Sequence, residues 1–121
     1  MEIKRIEQDF SICKIKDVAV VNWEDEFCFV GKTDEELSLV CSTEYVPGET
    51  IVREDGWKAF RIVGILDFSL IGILSEITTL LAKQKIGVFA VSTYNTDYVL
   101  IKAEHYSKAL NVMEQAGYRI V

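Results

Sequence analysis

VFAVSTYNTDYVLIK, Val88–Lys102, is the stretch whose reading decides the fold. Val88–Val91 and Tyr98–Ile101 are rich in the β-branched and aromatic residues that suit a pleated, half-buried surface. Between them stand Ser92, Thr93, Tyr94, Asn95, Thr96 and Asp97, a polar turn that makes the stretch a β-hairpin. A turn needs one or two such residues, and Asn95 would serve alone. The surplus of hydroxyl and carboxylate groups suits the wall of a small-molecule site, and equally a solvated hairpin tip.

On the N-terminal side, Trp57–Leu66 reads as a long strand, with Phe60, Ile62 and Leu66 on one face and Ala59, Val63 and Ile65 on the other. Apolar residues on both faces imply cover on each side. Beyond a short turn at Asp67–Phe68, Ser69 is the expected N-cap of a helix. Leu70, Ile73, Leu74, Ile77, Leu80 and Leu81 form its apolar stripe, and Gly87 is its expected stop. On the C-terminal side, Tyr106, Ala109, Leu110 and Met113 mark a second helix ending at Gly117, and Tyr118–Val121 closes as a strand. Strand, helix, strand, strand, helix, strand predicts the ferredoxin-like α+β arrangement: a four-stranded antiparallel sheet with both helices on one face.

Upstream, Phe10–Lys16 (FSICKIK) alternates with period two, and Val18–Val21 reads as a second extended piece. Phe27–Val30 and Leu37–Cys41 flank GKTDEE as another hairpin. VPGET at Val46–Thr50 holds the single proline and reads as a linker that Arg53–Gly56 continues. A slide of 61 positions lays Phe27–Tyr45 on Val88–Tyr106, with Glu36 on Asp97, so residues 1–50 are expected to be a reduced repeat of residues 57–121.

Composition narrows the function. At 121 residues, half of them hydrophobic, the chain suits one domain or two small ones sharing a core. A net charge of −6 argues against nucleic acid, whose phosphates call for clustered Lys and Arg. No apolar run is long enough to span a bilayer, and MEIKRIEQDF has no signal-peptide core, so a cytoplasmic protein is expected. Cys13, Cys28 and Cys41 lie in apolar runs and read as core residues. Their wide spacing and a single histidine, His105, predict neither a metal site nor a cofactor. No nucleophile has a base in view, so an enzyme is not expected.

The words GWKAFRIVG (Gly56–Gly64), DFSLIGIL (Asp67–Leu74) and IGVFAVSTYNTDYVLIK (Ile86–Lys102), with TDEELSLVCS (Thr33–Ser42), resemble the ACT domain family of regulatory amino-acid-binding modules. The nearest likeness is to its tandem branch, which includes aspartate kinase regulatory regions and cytosolic arginine sensors. The resemblance implies a free amino acid held where two ACT units meet, and a homo-oligomer, a dimer. Carried over, one wall of that site is Asp67, Phe68, Ser69, Leu70, Gly72 and Ile73, and the other is Ser92, Thr93, Tyr94, Thr96 and Asp97. Many ACT domains have Pro-Gly in the first loop, where this chain has Phe68–Ser69. A helix N-terminus offers N–H donors to an α-carboxylate, and Asp97 could pair with an ammonium. Asp97 would equally serve as a hairpin cap, and Gly72 as a site of close helix packing.

Overall fold

A computed structural model describes residues 1–63 and 72–121. Its seven strands are β1 (Glu2–Lys14), β2 (Cys28–Lys32), β3 (Leu37–Ser42), β4 (Val52–Ile62), β5 (Phe89–Ser92), β6 (Asp97–Lys102) and β7 (Arg119–Ile120). Its helices are α1 (Ile73–Lys83) and α2 (Ala103–Gln115). The chain divides into a terminal unit, Met1–Glu7 with Lys58–Val121, and a middle unit, Gln8–Trp57.

The terminal unit is α+β and ferredoxin-like, with one departure from the expected four strands. Its strand order is β7-β1-β4-β6-β5, so the start of β1 lies between β4 and β7. Glu2 and Ile3 pair in parallel with Arg119 and Ile120, whereas β5 and β6 form the expected antiparallel hairpin. The opening residues therefore supply a strand, and Ile3 is fully buried. EIKRIEQDF lacks clean alternation, which is why only Phe10–Lys16 stood out as extended. Both helices pack on one face of this sheet. Ile77 and Leu81 of α1 and Ala109 and Met113 of α2 share a core with Ile3, Phe60, Ile62, Val99 and Ile101. Complete burial of side chains of this size contributes about 1.5–3 kcal/mol each.

Several boundaries differ from the expected ones. β4 begins at Val52, so Arg53–Gly56 is strand and not linker. Its charged residues hid the extended conformation, because alternation needs an apolar face to be seen. Val18–Val20 is a 3-10 turn, capped by the Asp17 carboxylate accepting from the Ala19 N–H at 2.9 Å. Helix α1 ends before Gly87: the left-handed residue is Lys85, at φ 59°. At its other end Gly72 is the N-cap, at φ 90°, and not a first-turn residue. The expected cap, Ser69, lies outside the described residues.

In the middle unit β2-β3-β1 are neighbours, with β3 antiparallel to both. Cys13, Ile15, Val21, Leu39 and Cys41 form its core, as the apolar setting of the cysteines suggested. Burial raises the Cys41 thiol to about 12, with smaller contributions from Cys13, Asp25 and Cys28. Asp25 is buried and fully engaged: its carboxylate accepts from the Ser42 N–H at 2.8 Å, the Ser42 hydroxyl at 2.7 Å and the Phe27 N–H at 3.0 Å.

Candidate functional site

The hairpin β5–β6 turns through Thr93–Thr96. Ser92 faces Asp97 across the last strand pair, and the Thr93 N–H donates to the Thr96 carbonyl at 2.9 Å. The side chains repeat this closure. Ser92 Oγ donates to Asp97 Oδ1 at 2.5 Å, and Thr93 Oγ1 donates to the Thr96 carbonyl at 2.9 Å. Tyr94 is 82% exposed. Thr96 is 8% exposed, and its hydroxyl donates to the Ile62 carbonyl at 2.8 Å, fastening the hairpin tip to the end of β4.

This geometry divides the residues singled out in the sequence. Ser92, Thr93, Thr96 and Asp97 stand together as one bonded group. Asp97 takes the hairpin-cap role through Ser92. Gly72 is exposed at the start of α1, and its carbonyl accepts from the Glu76 N–H at 2.8 Å. A Cβ there would meet nothing within 4 Å among the described residues, so its positive φ, and not close packing, explains the glycine. Ile73 packs against the core of the terminal unit. Asp67, Phe68, Ser69 and Leu70 lie outside the described residues.

Two cavities flank these groups within the terminal unit. One, of about 370 Å³, is lined by Lys4, Arg61, Ile62, Val63, Asn95, Thr96 and Tyr98. The other, of about 250 Å³, is lined by Met1, Ile73, Glu76, Ala116, Gly117 and Tyr118. Thr96 belongs to the first and Ile73 to the second. In the second cavity Tyr118 donates to Glu76 at 2.8 Å; burial and this carboxylate raise its phenol to about 12. Lys4, Arg61 and Tyr98 were missed in the sequence. A charged residue in an apolar strand looks like an ordinary solvated position until neighbouring strands are known.

The middle unit holds a cavity of about 710 Å³ lined by Lys16, Asp17, Val20 and Gly48–Ile51. Nearby in the chain, Ser11 donates to Asp55 at 2.6 Å and Arg53 contacts the same carboxylate oxygen at 2.8 Å. Arg53 chiefly, and Ser11 next, hold the Asp55 carboxyl below its usual range. Its hairpin has the same turn chemistry as β5–β6: the Thr33 N–H donates to the Glu36 carbonyl at 2.9 Å. The pairings of the two hairpins coincide at a shift of 60, taking Phe29 and Val40 to Phe89 and Leu100. The 61-residue slide is thus one position out, and Glu36 corresponds to Thr96 instead of Asp97. A one-residue slip sends each side chain to the opposite face.

Among the described residues no group of His, Cys, Asp and Glu could hold a metal ion, and no helix is long and apolar enough to cross a membrane. The terminal unit therefore defines a class: a ferredoxin-like module with cavities at its strand ends. The sequence matches the ACT domain family over residues 52–115, more than half of the chain, and the chain belongs to that family. No curated protein matches it. A solved structure from Agobacterium tumefaciens is similar at TM-score 0.85 and 24% identity, covering 99% of this chain and 91% of that one. A protein of unknown function from Vibrio cholerae is similar at TM-score 0.69 and 16% identity, covering 94% and 88%. The ligand-free regulatory subunit of aspartate kinase from Thermus thermophilus is similar at TM-score 0.68 and 11% identity, covering 97% of each chain. With the family match, these structures show that the chain shares the fold of ACT-domain proteins.

Proposed function

We propose that this chain is a regulatory module that binds a free amino acid and couples binding to its assembly. The ligand sits where ACT units of two copies meet, between the start of α1 at Gly72 and Ile73 and the β5–β6 tip, with Asp67–Leu70 contributing. One observation carries the reading. Thr96 ties the hairpin tip to Ile62, the strand end from which the connection towards α1 departs. Both expected walls thus spring from neighbouring backbone. The likeness to regulatory subunits of aspartate kinase supports the same role.

The residues of 1–50 act as a reduced second ACT-like repeat of residues 57–121, a reading supported by the matching hairpin registers and turn bonds. A ligand at a hundred times its dissociation constant stabilises the fold by about 2.7 kcal/mol. For a chain of this size that raises the melting temperature by roughly 10 °C. A screen of the common amino acids by calorimetry, with sedimentation to follow assembly, tests the proposal. No shift beyond about 1 °C with any of them would overturn it.

A second reading, an interaction module with a vestigial pocket, draws on the mutual bonding of Ser92 with Asp97 and Thr93 with Thr96. Unchanged assembly and unchanged response to every amino acid in Asp97→Ala would favour it.

A further inference from the structure

The cavity beside the hairpin tip has a charge character that the amino-acid reading does not use. Ile3, Ile62 and Val99 belong to the core under the helices. Side chains alternate along a strand, so Lys4, Arg61 and Tyr98 stand on the opposite face of β1, β4 and β6, which are successive neighbours in the sheet. All three line the 370 Å³ cavity, with Asn95 and Thr96 at its rim. Among the described residues its lining holds two cations and no carboxylate. Among the described residues neither Lys4 nor Arg61 has an ion-pair partner. This is notable in a chain with 19 acidic and 13 basic residues.

The guanidinium is also oriented. Arg61 Nη1 donates to the Tyr98 hydroxyl oxygen at 3.4 Å, and Arg61 is half-buried. An arginine so placed presents a planar fork matched to a carboxylate, and a nearby lysine adds a mobile second charge. Asn95 supplies amide groups, and the Thr96–Ile62 bond keeps that rim in place. The volume falls in the range of small-ligand pockets.

We propose that this cavity binds a small dicarboxylate, one carboxylate on Arg61 and the other within reach of Lys4. The site goes beyond the amino-acid reading and needs no α-ammonium, so the two stand or fall separately. The probe is succinate, titrated into the full chain by calorimetry and by backbone amide NMR. Saturable binding is expected, with shifts at Asn95, Thr96 and Val63. It should weaken at least about tenfold in Arg61→Met, which keeps the aliphatic stem, and less in Arg61→Lys. Lys4→Met, at an exposed position, should weaken it several-fold without touching the fold. Added salt should weaken it further.

No saturable binding up to about 10 mM overturns the proposal, as does an affinity that Arg61→Met and Lys4→Met both leave within about twofold. Inorganic phosphate binding in preference to succinate overturns the ligand class. L-lysine and L-leucine, run beside succinate, read the amino-acid site independently.

Discussion

Replacing Thr96 by valine isolates the bond that fastens the hairpin to β4. The two side chains have nearly the same shape, so Thr96→Val removes the hydroxyl that donates to the Ile62 carbonyl at 2.8 Å and little else. Thr96 is buried, so water cannot freely replace it. Leaving a buried acceptor without its donor costs about 1–3 kcal/mol. At about 4 °C per kcal/mol for a chain of this length, the melting temperature should fall by roughly 4–12 °C. Thr96→Ser keeps the hydroxyl and loses one methyl, worth about 0.8 kcal/mol, and should therefore be the milder change. Calorimetry of both variants, with amide exchange across Ser92–Asp97, makes the test. A fall below about 1 °C in the valine variant, or a serine variant less stable than the valine one, would refute the fastening role.

Other expectations concern the rest of the fold. Phe60→Ala empties a fully buried position and should cost about 3–5 kcal/mol in urea unfolding. Lys85→Gly should raise the melting temperature by a few degrees, since a left-handed side-chain residue costs about 1–2 kcal/mol relative to glycine; Gly72→Ala should lower it for the same reason. The thiol of Cys41 and the phenols of Tyr106 and Tyr118 are each raised to about 12, chiefly by burial. The unfolded chain would ionise these groups first, so the stability they contribute is complete below pH 9 and is lost as pH rises towards 12; a melting temperature that holds or climbs over that window would contradict this. Iodoacetamide on the native protein should modify half-buried Cys28 well before Cys13 and Cys41, as read by mass spectrometry.

Much of the terminal unit was legible because its elements announce themselves. Ile77, Leu81, Ala109 and Met113 recur at helical spacing, and all four are fully buried. The β5–β6 hairpin follows from its apolar flanks and polar turn. Strand β1 was only half visible, because Lys4, Arg5, Glu7 and Asp9 crowd a segment whose burial comes from pairing with distant strands. Local pattern carries no record of such partners. The same limit applied to the cavity. Thr96 was singled out for its hydroxyl, yet its structural work is the bond to Ile62, and Lys4 and Arg61 are 57 positions apart in sequence. Charged residues meet there through sheet order, which no motif encodes. Gly72 was rightly marked as unusual, but the cause is its dihedral angle.

The pairing of Glu2 with Arg119 has a consequence for biosynthesis. A ribosome emits the first strand of the terminal unit more than a hundred residues before its parallel partner, since Ile3 pairs with Ile120. The middle unit, contiguous from Gln8 to Trp57, has all its sequence available before then. Ile3 must wait, unsheltered, through all the chain between it and Ile120 before its parallel neighbour emerges. Closing so long a loop is slow, and in that interval nascent chains carry an open apolar edge that chaperones or sister chains can capture. A gene fragment beginning at Lys58 would make that vulnerability permanent.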